Sequence, residues 1–352
     1  MTRLFVNGMA SISPQPENIF NTGLPETFNE NILPALDQDY KSIIKPMTLR
    51  RMSQGVKMAL FCSKRALLEA ESDKPDAILV GTGQGCMQDT EKFMENMLVS
   101  EEGLLSPTSF IQSTHNTVAG QIALDLNCNG PNMTFTQNSV SFESALLDAM
   151  LQITDEDFNN ILVGGVDETS KEITGFQKLD GQIKEEKINN LHLFRSKTTG
   201  TIISEAAAFF ILGKHKTPKS YAEMLDVEIF NAIDISDLNS SVLSFLNRNG
   251  LTVSEIDAVI LGKNGDLRFD LYYDKIQKGL FSDICQIGFK HLVGENNAVS
   301  SYAFWLASKI LKEQTVPEIF KLNTINCTKP GFILIYNQYL GRNHGLTLLR
   351  SI

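Results

Sequence analysis

Apolar and polar positions along the chain repeat one order of elements twice. Residues 54–70 set Val56, Ala59, Leu60, Ala66 and Leu67 at helical spacing. Asp76-Ala77-Ile78-Leu79-Val80-Gly81 follows, a short apolar run that predicts a buried strand ending in glycine. Asp257-Ala258-Val259-Ile260-Leu261-Gly262 repeats that run almost letter for letter, again after a helical stretch at about 240–249. A strand at 133–138 leads into a helix at 141–153, and Ile284 to Phe289 leads into a helix at about 297–312. The first half closes on Ala206 to Leu212, the second on Gly331 to Tyr336. Continuous apolar strands between helices predict mostly parallel sheets covered on both faces. The pattern therefore predicts an α/β protein of two duplicated halves, divided at residues 1–213 and 214–352.

In such sheets, sites form beyond the carboxyl ends of the strands. Three segments qualify: the turn at Ser139, the run from Gly262 to Asp270, and the run from Lys290 to Glu295. Ser139 sits where the strand turns into a helix. The Gly81-Thr82-Gly83-Gln84-Gly85 stretch lacks both the full dinucleotide fingerprint and the phosphate-loop lysine, so tight packing is its better reading.

Composition narrows the function. With 352 residues, 42% of them hydrophobic, the chain can bury a large core. A net charge of -10 argues against nucleic acid or an anionic membrane as partner. No run reaches the roughly 18 apolar residues of a membrane helix. Met1 to Ser13 lacks a long apolar core and a cleavage site, so no signal peptide is expected. Cys62, Cys86, Cys128, Cys285 and Cys327 show no paired or metal-type spacing, which predicts reduced thiols and a cytoplasmic protein. No cofactor and no metal is expected.

Several motifs, taken in order, resemble the β-ketoacyl synthases of fatty-acid and polyketide synthesis. They are Arg50-Arg51-Met52-Ser53, Val80 to Gly85, Ala119-Gly120-Gln121 with Gly130-Pro131, Gly164 to Glu168, Glu205-Ala206-Ala207, and Lys290-His291-Leu292-Val293-Gly294. The resemblance runs over nearly the whole chain. It implies a thiolase-like fold, a dimer, and acyl carrier protein as substrate carrier. The departures fall on the chemistry. The family's nucleophilic cysteine aligns with Ser139, its first catalytic histidine with Gly262 and its second with Glu295. Asp270 matches the aspartate that follows the first histidine loop, and the glycine-rich loop near the C-terminus is reduced to Thr328-Lys329-Pro330-Gly331. Of the reacting set Lys290 is kept.

Serine has a far higher pKa than a helix-start cysteine and needs a base in reach. Losing one donor to a developing oxyanion typically costs about 100- to 1,000-fold in rate. Such substitutions resemble the chain-length factor, the inactive partner of an active ketosynthase subunit. The smaller subunits of this kind in aryl-polyene and flexirubin-type pathways are the nearest match. The resemblance then implies a heterodimer that shapes an acyl tunnel, with carrier protein docking mainly on the active partner. Two other readings remain open: a stand-alone acyltransferase or thioester hydrolase using Ser139 with His115 or Glu295, and a homodimer that only binds acyl chains.

Each residue has a plainer role beside the catalytic one. Ser139 reads as a helix cap before it reads as a nucleophile. Lys290 and Glu295 read as a buried ion pair across the old pocket. By resemblance, His115 lies at the subunit interface, and Phe110, Ile111 and Thr114 gate the tunnel. Phe142 either plugs the ancestral pocket or is core. His291 packs or caps, and His192, His215 and His344 lie in polar stretches without ligand spacing.

Overall fold

The computed structural model describes residues 3–50, 52–100, 103–155 and 158–352. Arg51, part of one motif named above, lies outside the described residues, as do Met1 and Thr2.

Among the described residues ten strands build the main sheet, beside a small parallel pair of Ile32–Leu33 with Ile203–Ser204. The first half contributes β1 (Leu4–Ile12), β2 (Ala77–Gly81), β3 (Asn132–Phe135), β4 (Asn160–Asp167) and β5 (Ala206–Gly213). The second contributes β6 (Glu223–Asn231), β7 (Ala258–Leu261), β8 (Cys285–Gly288), β9 (Phe332–Tyr339) and β10 (Asn343–Arg350). They form one ten-stranded sheet in the order β8-β7-β9-β10-β6-β1-β5-β4-β2-β3. Read outward from the middle, each half has the same order, so β1 corresponds to β6, β2 to β7, β3 to β8, β4 to β9 and β5 to β10. The halves meet through Leu4 opposite Met224 and Phe5 opposite Glu223.

The predicted duplication is present with one shift. The hydrophobic run at 206–212 corresponds to β10, not to the run at 331–336, which is β9 and answers to β4. Both are apolar strands late in their half, and apolar content alone does not separate them. The outer three strands of each half pair in parallel, whereas β5, β1, β6 and β10 pair antiparallel with their neighbours. The sheet is therefore mixed, with its parallel strands at the two ends.

Helices fill three layers. α1 (Gln54–Glu69) starts at Ser53, whose hydroxyl accepts from the Val56 N–H at 3.4 Å. It packs on β1 and β5, with α4 (Thr117–Leu126) beside it; α2 (Met87–Val99) and α3 (Pro107–Gln112) precede α4. On the other side α7 (Leu238–Arg248) and α8 (Asp270–Lys278) cover β7, β9 and β10. Between the halves lie α5 (Ser141–Asp155) and α10 (Ser300–Glu313), which touch strands of both. Two further helices are α6 (Lys171–Leu179) and the short α9 (Lys290–Val293). Phe142 of α5, Phe210 of β5 and Phe304 of α10 form one ring cluster, with centroids 4.8 to 5.7 Å apart. Phe142 is thus core of the central layer.

Gly81 shows why β2 ends in glycine. A Cβ there would lie 2.5 Å from the backbone carbon of Ser141, so the start of α5 packs directly on the strand end. Among the described residues no helix is long and apolar enough to cross a membrane.

Candidate functional site

The elbow turns more tightly than the sequence pattern implies. β3 stops at Phe135, and the chain reaches α5 through a 3₁₀ turn over Asn138–Val140, with Asn138 at φ 49°. The turn's own carbonyls satisfy the first N–H groups: Val140 donates to Gln137 and Ser141 to Asn138. Ser139 is therefore not a cap. Its hydroxyl is fully buried and has no hydrogen-bond partner among the described residues. It is Ser141, two residues on, whose hydroxyl donates back to the Asn138 carbonyl at 2.6 Å.

The second and third segments meet. Lys290, the first residue of α9, is fully buried and its Nζ stands 2.6 Å from Glu295 Oε2. The same ammonium donates to Asn337 Oδ1 of β9 at 2.8 Å, and Asn264 Nδ2 donates to Glu295 Oε2 at 2.7 Å. Burial pushes the Lys290 pKa down and that of Glu295 up, each against the pull of its partner. Among the described residues the other carboxylate oxygen, Glu295 Oε1, has no partner, and neither has Asn337 Nδ2.

Gly262 leads the loop that presents Asn264. Asp270, at the start of α8, accepts the Asn264 and Gly265 N–H groups at 3.0 Å each and holds that loop closed. Its burial raises its pKa to about 6. The space over Gly262 is taken: a Cβ there would lie 2.1 Å from Asn337 Oδ1. No side chain, least of all an imidazole, fits at this position while Asn337 keeps its bond to Lys290.

The first half builds the same device. Asp167, at the end of β4, accepts from the Thr82 hydroxyl at 2.8 Å and from the Gly83 and Gln84 N–H groups at 3.0 Å. Those backbone donors are spent on a carboxylate of the chain itself, so the Gly81 to Gly85 turn is structural, not a phosphate cradle.

The remaining histidines stand apart. His115 is exposed and lies against Gly85, whose Cβ would come within 2.9 Å of its Cα. His192 and His215 are exposed. His291 is buried, bonds the Ile319 carbonyl through Nε2 at 3.0 Å, and is held neutral by burial, its pKa lowered to about 4. His344 is not in polar surroundings: it is fully buried on β10, stacked on Phe230 at 5.3 Å and bonded to the Tyr336 hydroxyl at 2.9 Å. None of them bonds the Ser139 hydroxyl. A serine without a base in hydrogen-bond reach keeps its ordinary high pKa.

Three groups escaped sequence reasoning. Asn264 and Asn337 hold the ion pair, and their signal was polarity inside otherwise apolar strand-end stretches. Glu143 was the third, a carboxylate on the inward face of α5. It accepts from the Ser300 hydroxyl at 2.9 Å and abuts Gly345 of β10, and burial raises its pKa to about 7. Phe110 and Ile111 are exposed and Thr114 is half-buried, all three on or after α3. Among the described residues no group of three or more His, Cys, Asp or Glu side chains is placed to hold a metal ion.

Two five-stranded halves around a shared pair of helices, with strand-end loops meeting at Lys290 and Glu295, define a thiolase-like fold. Residues 26–217, more than half of the chain, match the family model for the β-ketoacyl synthase N-terminal domain, and the chain belongs to the β-ketoacyl synthase family. No curated protein matches it in sequence. A β-ketoacyl synthase from Burkholderia phymatum STM815 superposes with a TM-score of 0.83 at 15% identity, covering 100% of both chains. The ishigamide ketosynthase/chain length factor gives 0.84 at 14%, covering 100% of this chain and 99% of that one. A type II PKS structure, AntDE:AntF, is an acyl-carrier protein in complex with its ketosynthase bound to the hexaketide; it gives 0.77 at 17%, covering 100% of both. At such identities the likeness is one of fold.

Proposed function

We propose that this chain is a catalytically degenerate β-ketoacyl synthase homologue that acts beside an active ketosynthase subunit, as a chain-length-factor-like partner. The observation that carries this reading is the Ser139 hydroxyl, buried and without a hydrogen-bond partner among the described residues. At the aligned histidine positions, Gly262 has no room for a side chain and Glu295 is tied to Lys290. Ser139, Gly262, Lys290 and Glu295 are on this reading vestigial positions kept for structure.

The partner role draws support from the edge of the sheet. Among the described residues β3 pairs with β2 alone and leaves its other edge open, and Met133 is 49% exposed. Leu147 and Leu151 on α5, Leu124 on α4, and Phe110 and Ile111 near α3 are exposed as well. An open edge flanked by large apolar side chains is a ready association surface. Phe110, Ile111, Thr114 and His115 would then lie at a tunnel bounded by the partner. The product class is a polyketide, polyene or fatty-acid-type chain, with the aryl-polyene type first, carried on acyl carrier protein in the cytoplasm.

The test is co-purification of the tagged chain from its own cell, then malonyl-carrier-protein condensation with and without what it brings down. A stoichiometric ketosynthase and condensation by the mixture alone is the expected result, unchanged by Ser139→Ala. Turnover by the isolated chain, abolished by Ser139→Ala, would overturn it in favour of a serine acyltransferase or thioester hydrolase.

A further inference from the structure

Asparagine followed by glycine occurs four times in the chain, at Asn7-Gly8, Asn129-Gly130, Asn249-Gly250 and Asn264-Gly265. In such a pair the backbone nitrogen attacks the asparagine side chain most readily, because glycine brings no Cβ to hinder the approach. The attack needs the side-chain amide to leave its partners and swing onto the next N–H. What holds each amide therefore decides which pair reacts in the folded protein.

Three of the four are held. Asn7 is buried in β1, where its Nδ2 donates to the His215 carbonyl at 3.1 Å and its Oδ1 accepts from the Ser220 hydroxyl. Asn249 ends α7 with Nδ2 shared between Asp226 Oδ2 at 2.8 Å and the Phe245 carbonyl at 2.9 Å. The Gly250 N–H after it is spent on the Asn247 carbonyl at 3.0 Å. Asn264 is buried with Nδ2 on Glu295, and the Gly265 N–H is spent on Asp270. Asn129 is different. It stands exposed on the connection between α4 and β3, outside helix and strand. Among the described residues neither its side chain nor the Gly130 N–H has a hydrogen-bond partner. The fold also keeps a glycine behind it, since a Cβ on Gly130 would lie 1.8 Å from the Asp76 carbonyl oxygen.

We propose that Asn129 is a site of spontaneous deamidation in the native protein, with water as the co-reactant. The Gly130 nitrogen loses its proton and attacks Asn129 Cγ. The bond from Cγ to the side-chain nitrogen breaks, and ammonia leaves with that proton. Water then opens the succinimide at one of its two carbonyls, giving aspartate or isoaspartate. One asparagine and one water thus become one carboxylic acid and one ammonia. The acid is ionised at neutral pH, so each event adds a negative charge just ahead of β3 to a chain already at -10. Isoaspartate also lengthens the main chain immediately before Gly130, which is pressed on Asp76, and Pro131, whose carbonyl accepts from Ile78 N at 2.9 Å.

Native protein held at pH 8 and 37 °C should gain about 1 Da in intact mass and a more acidic species on ion exchange. Peptide mapping at acidic pH should place the change at Asn129 alone, and an isoaspartyl methyltransferase with a labelled methyl donor should label that peptide. The gain should be slower at pH 6, because the attacking amide must be deprotonated. The same incubation in urea should spread the change to all four pairs. Asn129→Gln alters an exposed side chain, so it should melt like wild type while losing the native mass gain. No change at Asn129 in the native chain, over the time in which the urea sample reacts there, would overturn the proposal. So would native reaction first at Asn7, Asn249 or Asn264, or a mass gain that persists in Asn129→Gln.

Discussion

At the scale of single residues, Lys290 and Glu295 make an electrostatic core where the strand-end loops meet. Lys290 and Glu295 are both removed from water, and two buried charges repay that only when paired and further bonded. Asn337 and Asn264 supply the further bonds. Breaking the pair is therefore expected to be costly. Glu295→Ala leaves the buried ammonium without its bonded counter-charge and should destabilise by about 3–5 kcal/mol. Lys290→Met combined with Glu295→Leu should recover part of that loss, the remainder reflecting the unsatisfied amides of Asn264 and Asn337. Urea titrations of the three proteins decide it: a cost below about 1 kcal/mol for Glu295→Ala would refute the view of a buried pair. The pairing itself was legible in the sequence, because Lys290 and Glu295 are near neighbours at a strand end. The amides were not, since nothing local marks Asn337 on β9 as facing Lys290 rather than solvent. The reading of Ser139 as a cap failed for a related reason. Composition identifies a residue able to cap, but whether its hydroxyl faces the orphan N–H groups depends on a left-handed Asn138 and a 3₁₀ turn that the sequence does not announce.

At the scale of elements, the periodicities placed the helices and strands well, and their exposure was harder to read. The run at 133–138 was legible as a strand leading into a helix. That it lies at the end of the sheet was not, because edge or centre is decided by pairing order, a non-local property. β3 consequently exposes Met133, and α5 beside it turns Leu147 and Leu151 outward. On the proposed reading these positions bind the ketosynthase partner. Met133→Asp and Leu147→Asp are expected to leave the melting temperature of the isolated chain within about a degree, as exposed substitutions usually do. In co-purification the same variants should lose the partner. Retention of a stoichiometric ketosynthase by the double variant would place the interface elsewhere on the molecule.

At the scale of the whole molecule, the duplication was visible in the paired strand-end glycines, yet the two copies have drifted to different uses. Gly81 admits the α5 backbone, while Gly262 admits the Asn337 side chain. Glu143 joins the halves more directly than either glycine. It rises from α5 after the elbow of the first half, bonds Ser300 of α10, and presses on Gly345 of β10 in the second. Burial raises its pKa from 4.5 to about 7, with the Ser300 hydroxyl and Lys290 opposing. The folded state therefore binds a proton over a window, about pH 4.5 to 7, in which the unfolded chain has released it. A raised folded pKa contributes stability that is present at low pH and lost as pH rises through the folded value. The loss is on the order of 3 kcal/mol, taking 1.36 kcal/mol per unit. Glu143→Gln keeps the shape and the hydrogen bond to Ser300 but cannot ionise. Asp167, Glu168 and Asp270 have raised pKa values too, so comparing wild type with the variant cancels their effect. Unfolding free energies at pH 5 and pH 8 should show Glu143→Gln gaining on wild type by about 2.5 kcal/mol, since pH 5 already lies inside the window. Parallel curves would mean that Glu143 stays ionised throughout, held by Lys290, and that the carboxylate belongs to the same charge cluster as Glu295.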